Sequence, residues 1–181
     1  MMIAVARQIA EPQQSEQVIR LADIDNDALT ALLARHGLNL VAVADGERIP
    51  GSYWGEPEAG VIADRVFARA DTPVHSVLHE ASHLIVAGPE RRADIHTDAS
   101  DCDQEEDATC YLQIVLAEQL YDVGSDRLMT DMDAWGYSFR LGSACAWFKH
   151  DAGDAREWLR KRGIVDASID APNLAAQAVH D

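Results

Sequence analysis

The chain has 181 residues, 48% of them hydrophobic and 25% charged, which supplies the core of one compact domain and leaves little room for a second. Asp and Glu number 31 against 15 Lys and Arg, and the resulting net charge of -16 repels phosphate backbones and anionic lipid surfaces, so nucleic-acid and membrane-surface roles are disfavoured. Uncharged runs such as Leu38 to Ala44 are far too short to cross a bilayer, Met1 to Ala10 holds no sustained apolar stretch, and Cys102, Cys110 and Cys145 form an odd set without CxxC spacing. The expectation is a single cytoplasmic domain over 1–181, with 1–16 and 166–181 loosely ordered.

In chain order, Asp25 or Asn26 caps a first helix near 26–36, where Leu29, Leu32 and Leu33 recur at helical spacing and Gly37 marks the stop. Leu38 to Val43 reads as a strand, Asp45 to Gly51 as a turn-rich connection, and two short strands flank Asp64-Arg65. Thr72-Pro73 opens the next helix, because Thr can accept from free backbone N–H groups and Pro at the first helical position loses nothing by lacking one. That helix is expected to run to Ala87, ended by Gly88-Pro89, with a surface loop over Glu90 to Ser100. Asp101 or Asp103 then caps a second long helix to about Tyr121, and helices follow near 126–136, 142–150 and 154–162. The fold class is α+β: a small mixed or antiparallel sheet packed on two long helices and closed by C-terminal helices.

The first of the long helices carries His79-Glu80-Ala81-Ser82-His83, an HExxH sequence. Histidines four apart lie one turn apart on one helix face, so both rings reach one ion, and Glu80 beside them is placed to take a proton from water. Two imidazoles rarely hold a divalent ion alone, so a third ligand is expected on the second helix. Glu105 lies on one stripe with Ala108, Leu112 and Val115 and is the first choice; Glu106, rotated by about 100°, is the second, with His96, Asp101 and Asp103 behind it. An HExxHxxGxxH site is excluded, because positions 86 and 89 are Val86 and Pro89, and Met129 and Met132 therefore read as core residues.

With HExxH on one helix and Glu105-x-x-Ala108 opening the next, the chain resembles the glutamate-liganded zincin metallopeptidases over roughly residues 60–120. That resemblance implies zinc held by His79, His83 and Glu105, Glu80 as general base, and an edge strand within Val61 to Ala68 that pairs with an extended peptide or protein substrate. The stretch from His79 through Ala87-Gly88 to Arg91-Arg92 is also similar to the elongation factor P hydroxylase family, which implies a non-haem Fe(II) site of two histidines and a glutamate. Gly51 to Gly60 and Asp131 to Arg140 resemble segments of uncharacterised proteobacterial proteins with the same HExxH helix. The leading expectation is a zinc-dependent, peptidase-type hydrolase; the alternatives are an iron hydroxylase and a non-catalytic metal-binding protein.

Around the motif, Tyr53 and Trp54 are read as a loop over the core or a pocket wall, and Tyr111, Tyr121, Tyr137, Arg140 and His150 are the available donors for an oxyanion. Arg91 and Arg92 are expected to face the carbonyls at the helix end, and Ser82 to pack rather than act as a nucleophile.

Overall fold

The computed structural model of the chain describes residues 18–97 and 102–166; apart from Asp166, the segments expected to be loosely ordered lie outside them, as does Asp101. Among the described residues the fold is mixed α+β, with six α-helices and one three-stranded sheet. A 3-10 turn at Leu21–Asp23 leads into α1 (Asn26–Arg35) and β1 (Asn39–Ala42). Strands β2 (Gly60–Ile62) and β3 (Arg65–Ala68) come next, and α2 (Val74–Arg92), α3 (Asp103–Ala117), α4 (Ser125–Trp135), α5 (Ala144–His150) and α6 (Gly153–Lys161) complete the domain.

Local chemistry sets most boundaries. Asp25 caps α1 by accepting from the Asp27 N–H at 2.9 Å, and α1 buries Leu29, Leu32 and Leu33. The opening of α2 differs from expectation. Thr72 accepts from the Arg69 N–H at 2.9 Å and does not cap the helix, whereas the Val74 N–H donates to the Ile19 carbonyl at 2.9 Å. A neighbouring chain segment thus satisfies a helix-end donor that sequence assigned to a cap. Gly88, at φ 75° and ψ 166°, breaks the helical path where expected, but helical backbone resumes through Arg92. Pro at position 89 can start a helical turn because its missing N–H would be unsatisfied there in any case. Similarly, α3 begins at Asp103 with Cys102, not an Asp, in the capping position.

The sheet has the order β1-β3-β2, with β1 parallel and β2 antiparallel to β3. β3 is therefore the central strand, with β1 and β2 at the two edges. The β2 edge is already paired by the chain itself: Thr97 donates to the Val61 carbonyl at 3.1 Å, Ala63 donates to the Ile95 carbonyl at 2.9 Å, and Ser52 bridges Gly60. The expectation that an edge strand in 61–68 adds a substrate strand is corrected by these bonds, since the backbone groups it needs are used. Position 60 admits only glycine, because a Cβ there would collide with the backbone of Pro50, Gly51 and Ser52.

α2 and α3 make the most extensive contact of any two elements and form the middle of the molecule. From Val74 to Val86 every residue of α2 is buried, and from Ala108 to Ala117 so is every residue of α3. Helices wrapped on all sides have no solvent face, so their orientation is not set by a single apolar stripe. Met129 and Met132 of α4 are buried core residues, as expected. No described helix is long and apolar enough to cross a membrane.

Candidate metal centre

His79 and His83 stand one turn apart on α2, with their Nε2 atoms 3.0 Å apart. The carboxylate of Glu106 approaches both, Oε1 at 3.4 Å from His79 Nε2 and Oε2 at 3.4 Å from His83 Nε2. Tetrahedral ligands at about 2.1 Å from one ion lie about 3.4 Å from each other, so this donor set has the spacing and chemistry of a divalent-cation site. His79, His83 and Glu106 are the group whose ligand atoms converge among the described residues. The histidines are 4% and 8% exposed, whereas the Glu106 side chain is 22% exposed, so solvent reaches the cluster on the carboxylate side.

The structure brings together the second-choice carboxylate, not the first. Glu105 turns away and forms a two-pronged ion pair with Arg91, Nη1 to Oε1 at 2.8 Å and Nη2 to Oε2 at 3.1 Å. This pair ties the end of α2 to the first turn of α3 across the connecting segment. Arg91 thus serves an ion pair, and Arg92 donates to the carbonyls of Leu84 at 2.6 Å and His36 at 3.0 Å. Both glutamates lie in the first turn of α3, where the helix dipole favours negative charge, and that common advantage does not distinguish them.

The face of α3 that meets the histidines is a polar row that sequence reasoning missed. Glu106, Thr109 and Gln113 recur at i, i+3 and i+7 and so share one side of the helix. Gln113 Oε1 lies 2.6 Å from His79 Nδ1, and Thr109 Oγ1 lies 3.3 Å from His83 Nδ1. Each ring thus has its outer nitrogen held by α3 while its Nε2 points into the cluster, the arrangement that orients metal-binding histidines. The available signal was Thr109 and Gln113 standing as polar residues inside an otherwise apolar helical run, both of them fully buried.

Glu80 is buried on α2 beside His79 and does not join the converging trio. Asp107, next to Glu106, is pushed up to about 6 by burial, with the neighbouring carboxylates of Glu106, Asp103 and Asp154 adding to the effect. The other candidate ligands fall elsewhere: His96 bridges Ile62 and contacts Thr97 Oγ1 at 2.7 Å, and Asp103 is exposed at the start of α3. Among the possible oxyanion donors, Tyr137 is the one set against the cluster, its ring edge-on to His79 with centroids 5.8 Å apart. Tyr111 stacks on Phe148, Tyr121 and His150 are exposed, and Arg140 pairs with Asp151. Tyr53 and Trp54 are exposed and pack edge-to-face on each other, and Ser82 is buried with no hydrogen bond to its hydroxyl among the described residues. Comparison with family models, with curated proteins and with solved structures gives no match.

Proposed function

We propose that the chain is a zincin-like, metal-dependent hydrolase acting on a peptide-type bond, with His79, His83 and Glu106 as the ligands and Glu80 as the general base. The observation that carries this reading is the convergence of two Nε2 atoms and one carboxylate at mutual distances of 3.0 and 3.4 Å, inside an HExxH helix. Zinc suits a compact site of two imidazoles and one carboxylate with a position left for water, where a bound ion polarises a carbonyl and lowers the pKa of water. Glu80 takes a proton from the attacking water and returns it to the leaving amine. The outer edge of β2 is filled by the chain's own backbone, so the substrate is not a strand laid along that edge.

A second reading uses the same residues. Two histidines and one carboxylate also hold Fe(II) with positions open for oxygen chemistry, and the resemblance running from His79 to Arg92 supports a hydroxylase in which Glu80 has no role as base. The two are separated by Glu80→Gln. Under the hydrolase reading, the zinc-loaded variant keeps its metal and loses about 100-fold or more of the hydrolysis of a fluorogenic peptide library. Undiminished hydrolysis by that variant removes Glu80 from the reaction, and iron-dependent oxygen consumption by the wild type favours the hydroxylase.

A further inference from the structure

The three converging ligands are not held equally. His79 and His83 lie in the stretch of α2 from Val74 to Val86 in which every residue is buried, so packing on all sides fixes their backbone. Glu106 lies in the first turn of α3, three residues after the helix begins at Asp103, and Cys102 in the capping position makes no side-chain cap hydrogen bond. The first turn of a helix leaves backbone N–H groups without helical partners, and helix ends fray. Here the Glu105 and Glu106 N–H groups both donate to one acceptor, the Cys102 carbonyl, at 3.1 Å each. Two ligands thus stand on rigid backbone and the third on a turn that needs outside support.

The two arginines just past the break in α2 supply that support. Gly88 turns the chain out of the helical path, and Arg92 then reaches back with its Nε to the Leu84 carbonyl at 2.6 Å, four residues before Gly88. Only 9% exposed, Arg92 ties the turn after the break to the buried body of α2. Arg91, its neighbour, reaches forward to both carboxylate oxygens of Glu105 at 2.8 and 3.1 Å. Such a two-pronged pair fixes orientation as well as distance, because guanidinium and carboxylate are both planar. We infer that Arg91 is a positioning residue for Glu106, acting through Glu105 to hold the first turn of α3 against the two histidines. The inference rests on the metal reading of this site. It gives a role to the glutamate that is not among the converging ligands: one step of about 100° apart on the helix, Glu105 faces Arg91 while Glu106 faces the imidazoles.

The test compares the full chain with Arg91→Met, Glu105→Gln, the double variant and, as a control, Arg127→Met, which loses an ion pair on α4 whose arginine is 46% exposed against 40% for Arg91. In zinc titrations after chelation of any bound metal, Arg91→Met should bind about 10- to 100-fold more weakly than the wild type. The double variant should lose no more than Arg91→Met alone, and Arg127→Met should stay within a few-fold of the wild type. With cobalt(II) in place of zinc, the visible ligand-field bands should change in Arg91→Met and not in Arg127→Met, a difference that lost stability alone would not produce. By NMR, before metal is added, the Glu105 and Glu106 amides should exchange with solvent about 10-fold faster in Arg91→Met than in the wild type. Zinc affinity unchanged in Arg91→Met, an equal loss in the Arg127→Met control, or a double-variant loss equal to the product of the two single losses would each overturn the inference. A wild type that binds no zinc would overturn the metal reading and, with it, the assignment of Arg91 to a ligand. Faster exchange in Arg91→Met would then show a turn held without a ligand to position, so the two failures are distinguishable.

Discussion

Glu105 and Glu106 differ by one step of about 100° around a helix, and that step separates a carboxylate paired with Arg91 from one that converges with the two histidines. Sequence favoured Glu105 because it lines up with Ala108, Leu112 and Val115, a rule that holds for helices with one buried face. In α3 all of these positions are buried, but so are Thr109, Cys110, Gln113 and Ile114, and the rule has no solvent side to refer to. The polar row, not the apolar one, faces the histidines. At the same scale, Gly60 is fixed by backbone contact on its Cβ side. Gly60→Ala is expected to lower stability by at least about 1–3 kcal/mol, because the collision is with backbone that cannot rotate away. Chemical denaturation of the two proteins measures it, and equal midpoints would show that the Pro50 to Ser52 segment can yield.

At the scale of elements, helix positions were the most legible feature. The cap at Asp25 and the breaks at Gly37 and Gly88 follow from local preferences, and α1, α4, α5 and α6 lie within about two residues of the expected ranges, the usual scatter of helix ends. Where the chain departs from expectation, a distant segment intervenes: Ile19 takes the role of a cap for α2, and Ile95 and Thr97 close the edge of β2. Pairings between residues far apart in sequence leave little trace in local patterning, so these parts were not readable. The α2 and α3 interface is what places Glu106 against the histidines. Leu112, 2% exposed at that level of α3, is expected to cost about 2–5 kcal/mol on truncation to alanine. Arg91→Met, by comparison, should lower stability by no more than about 1–3 kcal/mol, the range for losing a charged hydrogen bond with a partly exposed partner. Thermal unfolding orders the two variants, and an Arg91→Met loss as large as that of Leu112→Ala would contradict the smaller contribution expected of the ion pair.

For the whole molecule, acidification relieves the mutual repulsion behind the net charge of -16, and the opposing loss of stability comes from individual carboxylates held charged by their partners. Hydrogen bonds from the Arg69 guanidinium to Asp71 hold that carboxyl below the usual carboxylate range, against the opposing effect of burial. A folded-state value below the unfolded one means that its stabilisation is complete above about pH 4 and is lost as pH falls through the folded value. Asp71→Asn should therefore lose stability at neutral pH and show a shallower decline than the wild type on acidification, with a gap that narrows in high salt because the Asp71 side chain is half exposed. Identical pH profiles for the two proteins would remove the Arg69 pair from the acid response.

Everything proposed for this protein depends on the trio His79, His83 and Glu106 holding a divalent cation, and zinc titration by calorimetry of metal-free protein tests that directly. The wild type should bind one equivalent, Glu106→Gln should lose more than the roughly 10- to 100-fold typical of groups that only support a ligand, and Glu105→Gln should stay within that range. A larger loss in Glu105→Gln than in Glu106→Gln, or no zinc bound by the wild type, would contradict the site described above.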